Sequence, residues 1–319
     1  MKLSFTFACE DLCTRAKKAI LCILHNMYKF QNDSCDVFMK LFDAQVKPIV
    51  LYGAEVWGLS KGPEIEKIQL YALKRFLHVD KRTPNDIIYG ETGRYPIYIN
   101  AYLQCLKFWL KLLCMNESRL PRKAYKVLYV LDERGKITWA TSIKTFLCCH
   151  GFREVWENQG VGNVNVFLRC CKQRLIDSRW QEWNSHLYSS DRFSLYRLFK
   201  TNVKIEPYFN LELNKFAKNA LLRIRCGMSS LAVHRRRYLK NNDSDLLCRL
   251  CHAACEDELH FVLCCQCLLD LREEYIAKKF YRYPCTFRFV LLLSTSNKNV
   301  LKNLALYLYF SFKRLNMAS

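Results

Sequence analysis

Glycine and proline are scarce in this chain, 10 and 7 among 319 residues. A β-sandwich or barrel needs turn residues at short, regular intervals, so that class is excluded in favour of helices. Acidic side chains are also in deficit, 29 against 50 Lys and Arg, for a net charge of +21. Such an excess points to a polyanionic partner, nucleic acid before an anionic membrane surface. The imbalance is local: residues 1–60 carry 7 basic and 6 acidic side chains, residues 200–319 carry 20 and 10. No apolar run reaches the ~20 residues that span a bilayer, and the stretch 300–312 is short and broken by Lys302. The opening apolar stretch meets Glu10-Asp11 before it attains the form of a signal peptide. A P-loop, a dinucleotide fingerprint and a Ser-His-Asp order are all missing, and no small-molecule substrate is expected.

Cysteine is abundant, at 18 residues, but lacks the regular spacing of a secreted disulfide framework. Adjacent pairs such as Cys148-Cys149, Cys170-Cys171 and Cys264-Cys265 fit a reduced chain better. The expectation is a soluble, intracellular protein, nuclear or cytoplasmic and not secreted. One cluster stands apart: Cys248-Arg-Leu-Cys251, then eight residues to His260, then four to Cys265. Two thiolates two residues apart can grip one metal ion from a tight turn, and a His and a Cys in the following turns can close a tetrahedron. Soft sulfur with imidazole suits Zn2+, and four protein ligands leave no open position, so the expected role is structural. Cys255 in place of Cys248, or Cys264 in place of Cys265, are competing choices. The set Cys248, Cys251, His260 and Cys265 is preferred because Cys-x2-Cys is the tighter first half.

Read in order, the pattern is helical throughout. Apolar residues recur at three- and four-residue steps over 8–30, over 37–46 up to a bend at Pro48, over 64–77 beginning at Pro63, and over 98–115. Residues 90–96 read as a loop. Two or three helices follow between 121 and 188, with Trp156, Trp180 and Trp183 as packing anchors. Residues 189–210 are more polar and contain Pro207, which places a boundary there. The expected architecture is mainly α: a helical bundle over 1–118, a helical linker region over 119–205, and a basic C-terminal region over 206–319 that carries the zinc module at about 245–275.

Arg223, Arg225, Arg235, Arg236, Arg237 and Lys240 precede the Cys/His cluster. They are read as a phosphate-contacting arm, with Tyr238 placed either to stack on a base or to pack. The acidic run Glu256-Asp257-Glu258 is expected to favour a helix N-terminus rather than to act as a catalytic acid. Phe261 is expected to form the small core of the module. The remaining histidines, His234 among them, show no ligand-like company.

Several stretches carry a resemblance. Leu51-Tyr-Gly-Ala-Glu-Val-Trp-Gly58, Ile68-Gln-Leu-Tyr-Ala-Leu-Lys-Arg-Phe-Leu77 and Tyr89-Gly-Glu-Thr-Gly-Arg-Tyr-Pro96 come first. Leu222-Arg-Ile-Arg-Cys-Gly227, Arg235-Arg-Arg-Tyr238, Leu247-Cys-Arg-Leu-Cys251 and Glu256-Asp-Glu-Leu-His-Phe-Val-Leu-Cys-Cys265 follow in order. The chain resembles the reverse transcriptases of non-LTR (LINE-type) retrotransposons, from the end of the palm through the thumb to the C-terminal Cys-Cys-His-Cys module. The resemblance covers about residues 10–275, with 120–205 similar only in helical character. It implies that Cys248, Cys251, His260 and Cys265 are the ligands of that module and that the chain holds template RNA or target DNA. The family polymerises through paired palm aspartates that carry two metal ions. No Asp-Asp pair occurs in this chain, and the family's endonuclease domain has no counterpart. A non-catalytic portion of such a protein is therefore expected. The alternative is a retroelement relic, or a helical protein-interaction protein, with no specific nucleic-acid partner.

Overall fold

The computed structural model describes residues 5–236 and 246–317. Among these it contains 17 α-helices and no strand, only the isolated bridges Thr92 with Ile205 and Leu247 with Cys255. The mainly α reading holds. No helix among the described residues is long and apolar enough to cross a membrane.

The reading at Pro48 needs adjustment. Pro48 lies in the first turn of the short helix Lys47–Val50, and the irregularity falls just before it, as a π turn over Phe42–Val46. The reading at Pro63 holds: Ala54–Phe76 is two helical stretches joined across a break at Lys61 (φ −120°, ψ 16°). Pro63, two residues past that break, lies in the first turn of the second stretch, where its missing N–H needs no partner. The stretch 90–96 is only partly loop: the helix Asn85–Thr92 runs through Gly90 and ends where Gly93 adopts φ 67°.

The chain forms two compact units, each assembled from separated stretches. The first takes Met1–Gln31, Val37–Leu73 and Tyr95–Glu182, and the second takes Asn32–Asp36, Lys74–Arg94 and Trp183–Ser319. These units are cut differently from the three consecutive regions expected. Residues 189–210, read as more polar and as a boundary, lie inside the second unit, and Phe193, Tyr196, Phe199, Tyr208 and Phe209 are buried there.

In the first unit, the helix Tyr98–Leu113 turns Leu106, Trp109 and Leu110 into a core shared with Ile143 and Leu147 of the helix Trp139–Cys149. The Trp109 indole donates to the Tyr125 hydroxyl at 2.9 Å, and that hydroxyl donates to Gln159 Oε1 at 2.5 Å. Trp109 and Trp156 stack with centroids 6.0 Å apart, a contact worth ~0.5–1.5 kcal/mol beyond burial. Trp156 is thus an anchor, whereas Trp180 is 40 % exposed. Trp183 is buried in the second unit and donates to the Asp86 carbonyl at 2.8 Å. There the amphipathic helix Lys215–Arg225, capped by the Asn214 side chain on the Ala217 N–H, packs along the final helix Lys298–Met317.

Candidate metal centre and basic residues

Residues 246–256 form a tight knuckle. The Cys248 N–H donates to the Ala254 carbonyl at 2.8 Å, the Glu256 N–H to Leu246 at 2.7 Å, and the His252 N–H to Cys248 at 2.8 Å. His252 takes φ 51°, which lets the chain reverse within a few residues. Asp257 then caps the next turn, its carboxylate accepting the His260 N–H at 2.7 Å.

A π turn over His260–Cys264 follows, closed by the Cys265 N–H donating to the His260 carbonyl at 2.8 Å. In a regular α-helix, five residues would swing Cys265 roughly 140° around the axis from His260. The wider turn returns it toward the same side. The spacing His-x4-Cys brings His260 and Cys265 to one side because this one turn is not α-helical.

The result is a convergent group. One ligand atom from each of Cys248, Cys251, His260 and Cys265 lies within 4.8 Å of all the others, an arrangement that could hold a metal ion. Cys248 Sγ is 3.9 Å from Cys265 Sγ, and Cys251 Sγ is 3.3 Å from His260 Nε2. Cys248 and Cys265 are buried, and Cys251 and His260 are half-buried. The competing cysteines do not join them: Cys255 is exposed on the bridge to Leu247, and Cys264 is outside the group. Burial pushes the Cys248 and Cys265 thiols above their usual range. At Cys251 burial acts the same way, but hydrogen bonds from the Ala253 and Ala254 backbone and the Cys248 and Cys265 thiols outweigh it and hold that thiol low.

The centre is strapped from outside. Arg272, 2 % exposed, donates to the carbonyls of Val262 at 3.0 Å and Cys265 at 2.8 Å. Tyr307 donates to the Phe261 carbonyl at 2.8 Å, and Phe261 stacks on Phe312 at 4.9 Å. Phe261 is buried, as expected, but its stacking partner belongs to the final helix.

Only Asp257 of the acidic run serves the helix start. Glu256 is fully buried and accepts the Arg249 guanidinium, the Arg249 N–H at 2.9 Å and the Ala232 N–H at 2.8 Å. Burial opposes its ionisation, but the hydrogen bonds and charge of Arg249 prevail and hold the carboxyl below its usual range. Glu258 accepts from His234 Nε2 at 2.6 Å, while His234 Nδ1 accepts from the Ser229 hydroxyl at 2.7 Å and the Ser229 N–H at 3.2 Å. With Nδ1 accepting twice, Nε2 carries the proton. This pin between residues 229–234 and the metal-centre segment has no signal in the sequence, where His234 is one histidine among seven.

The basic residues divide. Arg223, Arg235 and Arg236 are exposed, whereas Arg237 and Lys240, with Tyr238, lie outside the described residues. Arg225 is a correction: it is 2 % exposed and faces inward. Its guanidinium donates to Glu91 at 3.0 and 3.1 Å, pairs with Glu206 at 2.8 Å and donates to the Leu293 carbonyl at 2.6 Å. It sits 4.6 Å over the Phe199 ring. Lys200 closes the network on Glu206, and Tyr208 donates to Glu91 at 2.6 Å. Burial opposes ionisation of Glu91, but Arg225 above all, with Lys200 and Tyr208, holds it below the usual range. Burial and the Glu91 charge push Glu206 the other way. The cause lies in the helix Lys215–Arg225, which presents Arg223 to water and, two residues on, Arg225 to the core.

Comparison with family models, curated proteins and solved structures finds no match to this chain.

Proposed function

We propose that the chain is a non-catalytic nucleic-acid-binding protein whose C-terminal region is held by one structural Zn2+. In this reading it corresponds to the thumb and Cys-Cys-His-Cys portion of a LINE-type reverse transcriptase. The observation that carries the reading is the convergence of Cys248, Cys251, His260 and Cys265 in a strongly basic region that includes exposed Arg235 and Arg236. Zinc–sulfur bonds near 2.3 Å and zinc–nitrogen bonds of 2.0–2.1 Å give tetrahedral edges of roughly 3.8 Å for S···S and 3.5 Å for S···N. The 3.9 and 3.3 Å separations fit that donor set. Zn2+ would supply a cross-link between the knuckle and the π turn and no open coordination position. No polymerase step is assigned, because the sequence has no Asp-Asp pair to carry two catalytic metals.

The test is zinc analysis of the purified full chain beside Cys248→Ser/His260→Ala, followed by RNA and DNA titrations across salt. The expected result is about one Zn2+ per chain, lost in the variant together with folding of the C-terminal region. Binding should weaken steeply with salt. A folded chain without zinc, or one indifferent to both nucleic acids, would favour the relic or protein-interaction alternative.

A further inference from the structure

In the second unit four aromatic rings form a continuous row across three helices. Phe216 stacks on Tyr309 with centroids 6.4 Å apart, Tyr309 meets Phe310 at 5.1 Å, and Phe310 stacks on Tyr275 at 5.8 Å. Phe216 is 61 % exposed, and the other three are half-buried. What sets Phe216 apart from the other exposed rings is its place at the end of this row, with the Lys215 ammonium 5.3 Å over its ring. Basic side chains frame the Phe216–Tyr309 end of the row, while Glu274 lies against Tyr275 at the other end. Arg223 lies two helical turns from Phe216 on the same face, and Lys313 lies one turn from Tyr309 on its helix. Both are exposed, and neither forms an ion pair among the described residues.

We propose that this row is a binding track for a single strand of nucleic acid, with bases stacking on Phe216 and Tyr309 and phosphates meeting Arg223 and Lys313. The inference rests on the nucleic-acid reading above and names the surface that carries it. Charge selects a polyanion over an apolar peptide as occupant. The need for a free base face selects single over double strand. Bases paired in a duplex already cover one another's faces, whereas an unpaired strand can turn its bases onto the exposed Phe216 ring and its neighbour Tyr309. Stacking and phosphate contacts do not involve the sugar, so RNA and DNA strands are bound alike.

The experiment uses the full chain with zinc present and fluorescent oligo(dT) and oligo(rU) of about 15 nucleotides, beside a duplex of equal length. Anisotropy is followed across salt. Phe216→Leu and Tyr309→Leu retain apolar bulk but lose the ring, and each weakens strand binding by about tenfold with the melting temperature kept. Arg223→Gln/Lys313→Gln lowers the slope of log affinity against log salt by about 1.4. Tyr52→Leu, which removes a 76 % exposed ring elsewhere, leaves binding within about twofold. Wild-type binding that is unchanged in both ring variants, or a preference for duplex, overturns the track and leaves the broader reading standing. Wild-type protein that binds no nucleic acid overturns both.

Discussion

Replacing Arg225 by methionine tests the packing argument most directly. The substitution removes every donor that Arg225 directs at Glu91, Glu206 and the Leu293 carbonyl, while leaving an apolar side chain over Phe199. Lys200 then remains to balance two carboxylates, one of them fully buried. Breaking a buried ion pair by removing one partner costs about 3–5 kcal/mol, a roughly 100- to 5,000-fold rise in the unfolded-to-folded ratio. Urea unfolding followed by circular dichroism, with hydrogen exchange read over residues 215–225, measures it. Combining the change with Glu91→Gln should recover about 1–3 kcal/mol as coupling energy. Because Arg225 is 2 % exposed, the salt slope of nucleic-acid binding should not move under conditions where the variant is folded. Stability within about 1 kcal/mol of wild type, or a slope lowered by about one with stability intact, would refute the reasoning.

Gly93→Ala places a Cβ 2.4 Å from the Ile205 backbone nitrogen at φ 67°, and should cost about 2–4 kcal/mol, visible as a lower thermal midpoint. His234→Ala strips partners from the Ser229 hydroxyl and Glu258, for an expected loss of about 1–3 kcal/mol in a urea titration. The Arg314 hydrogen bonds hold Asp270 down at about 2. The stabilisation from that depressed carboxyl is present above the usual carboxylate range and lost as pH falls toward 2. Since Asp270 is 64 % exposed, its size is at most about 1 kcal/mol, and Asp270→Asn should flatten that part of the stability-against-pH curve.

Helical class was legible because it rests on periodicity and on the scarcity of glycine and proline, which are properties of the chain itself. The convergent Cys/His group was legible for a similar reason. Cys248 with Cys251, and His260 with Cys265, are local pairs whose spacing constrains what one turn can bring together. Even there the choice among neighbouring thiols came from a π turn, which no residue pattern announces.

Long-range placement was not legible. Arg223 and Arg225 look equivalent in a basic run, and only the register of one helix against Glu91, 134 residues away, sends the second inward. His234 reads as ordinary until folding sets Glu258 and Ser229 against its two nitrogens, and Phe216 joins Tyr309 only because two distant helices pack side by side. Short-range chemistry is written in spacing, whereas burial and partnership depend on which distant side chains arrive at the same place.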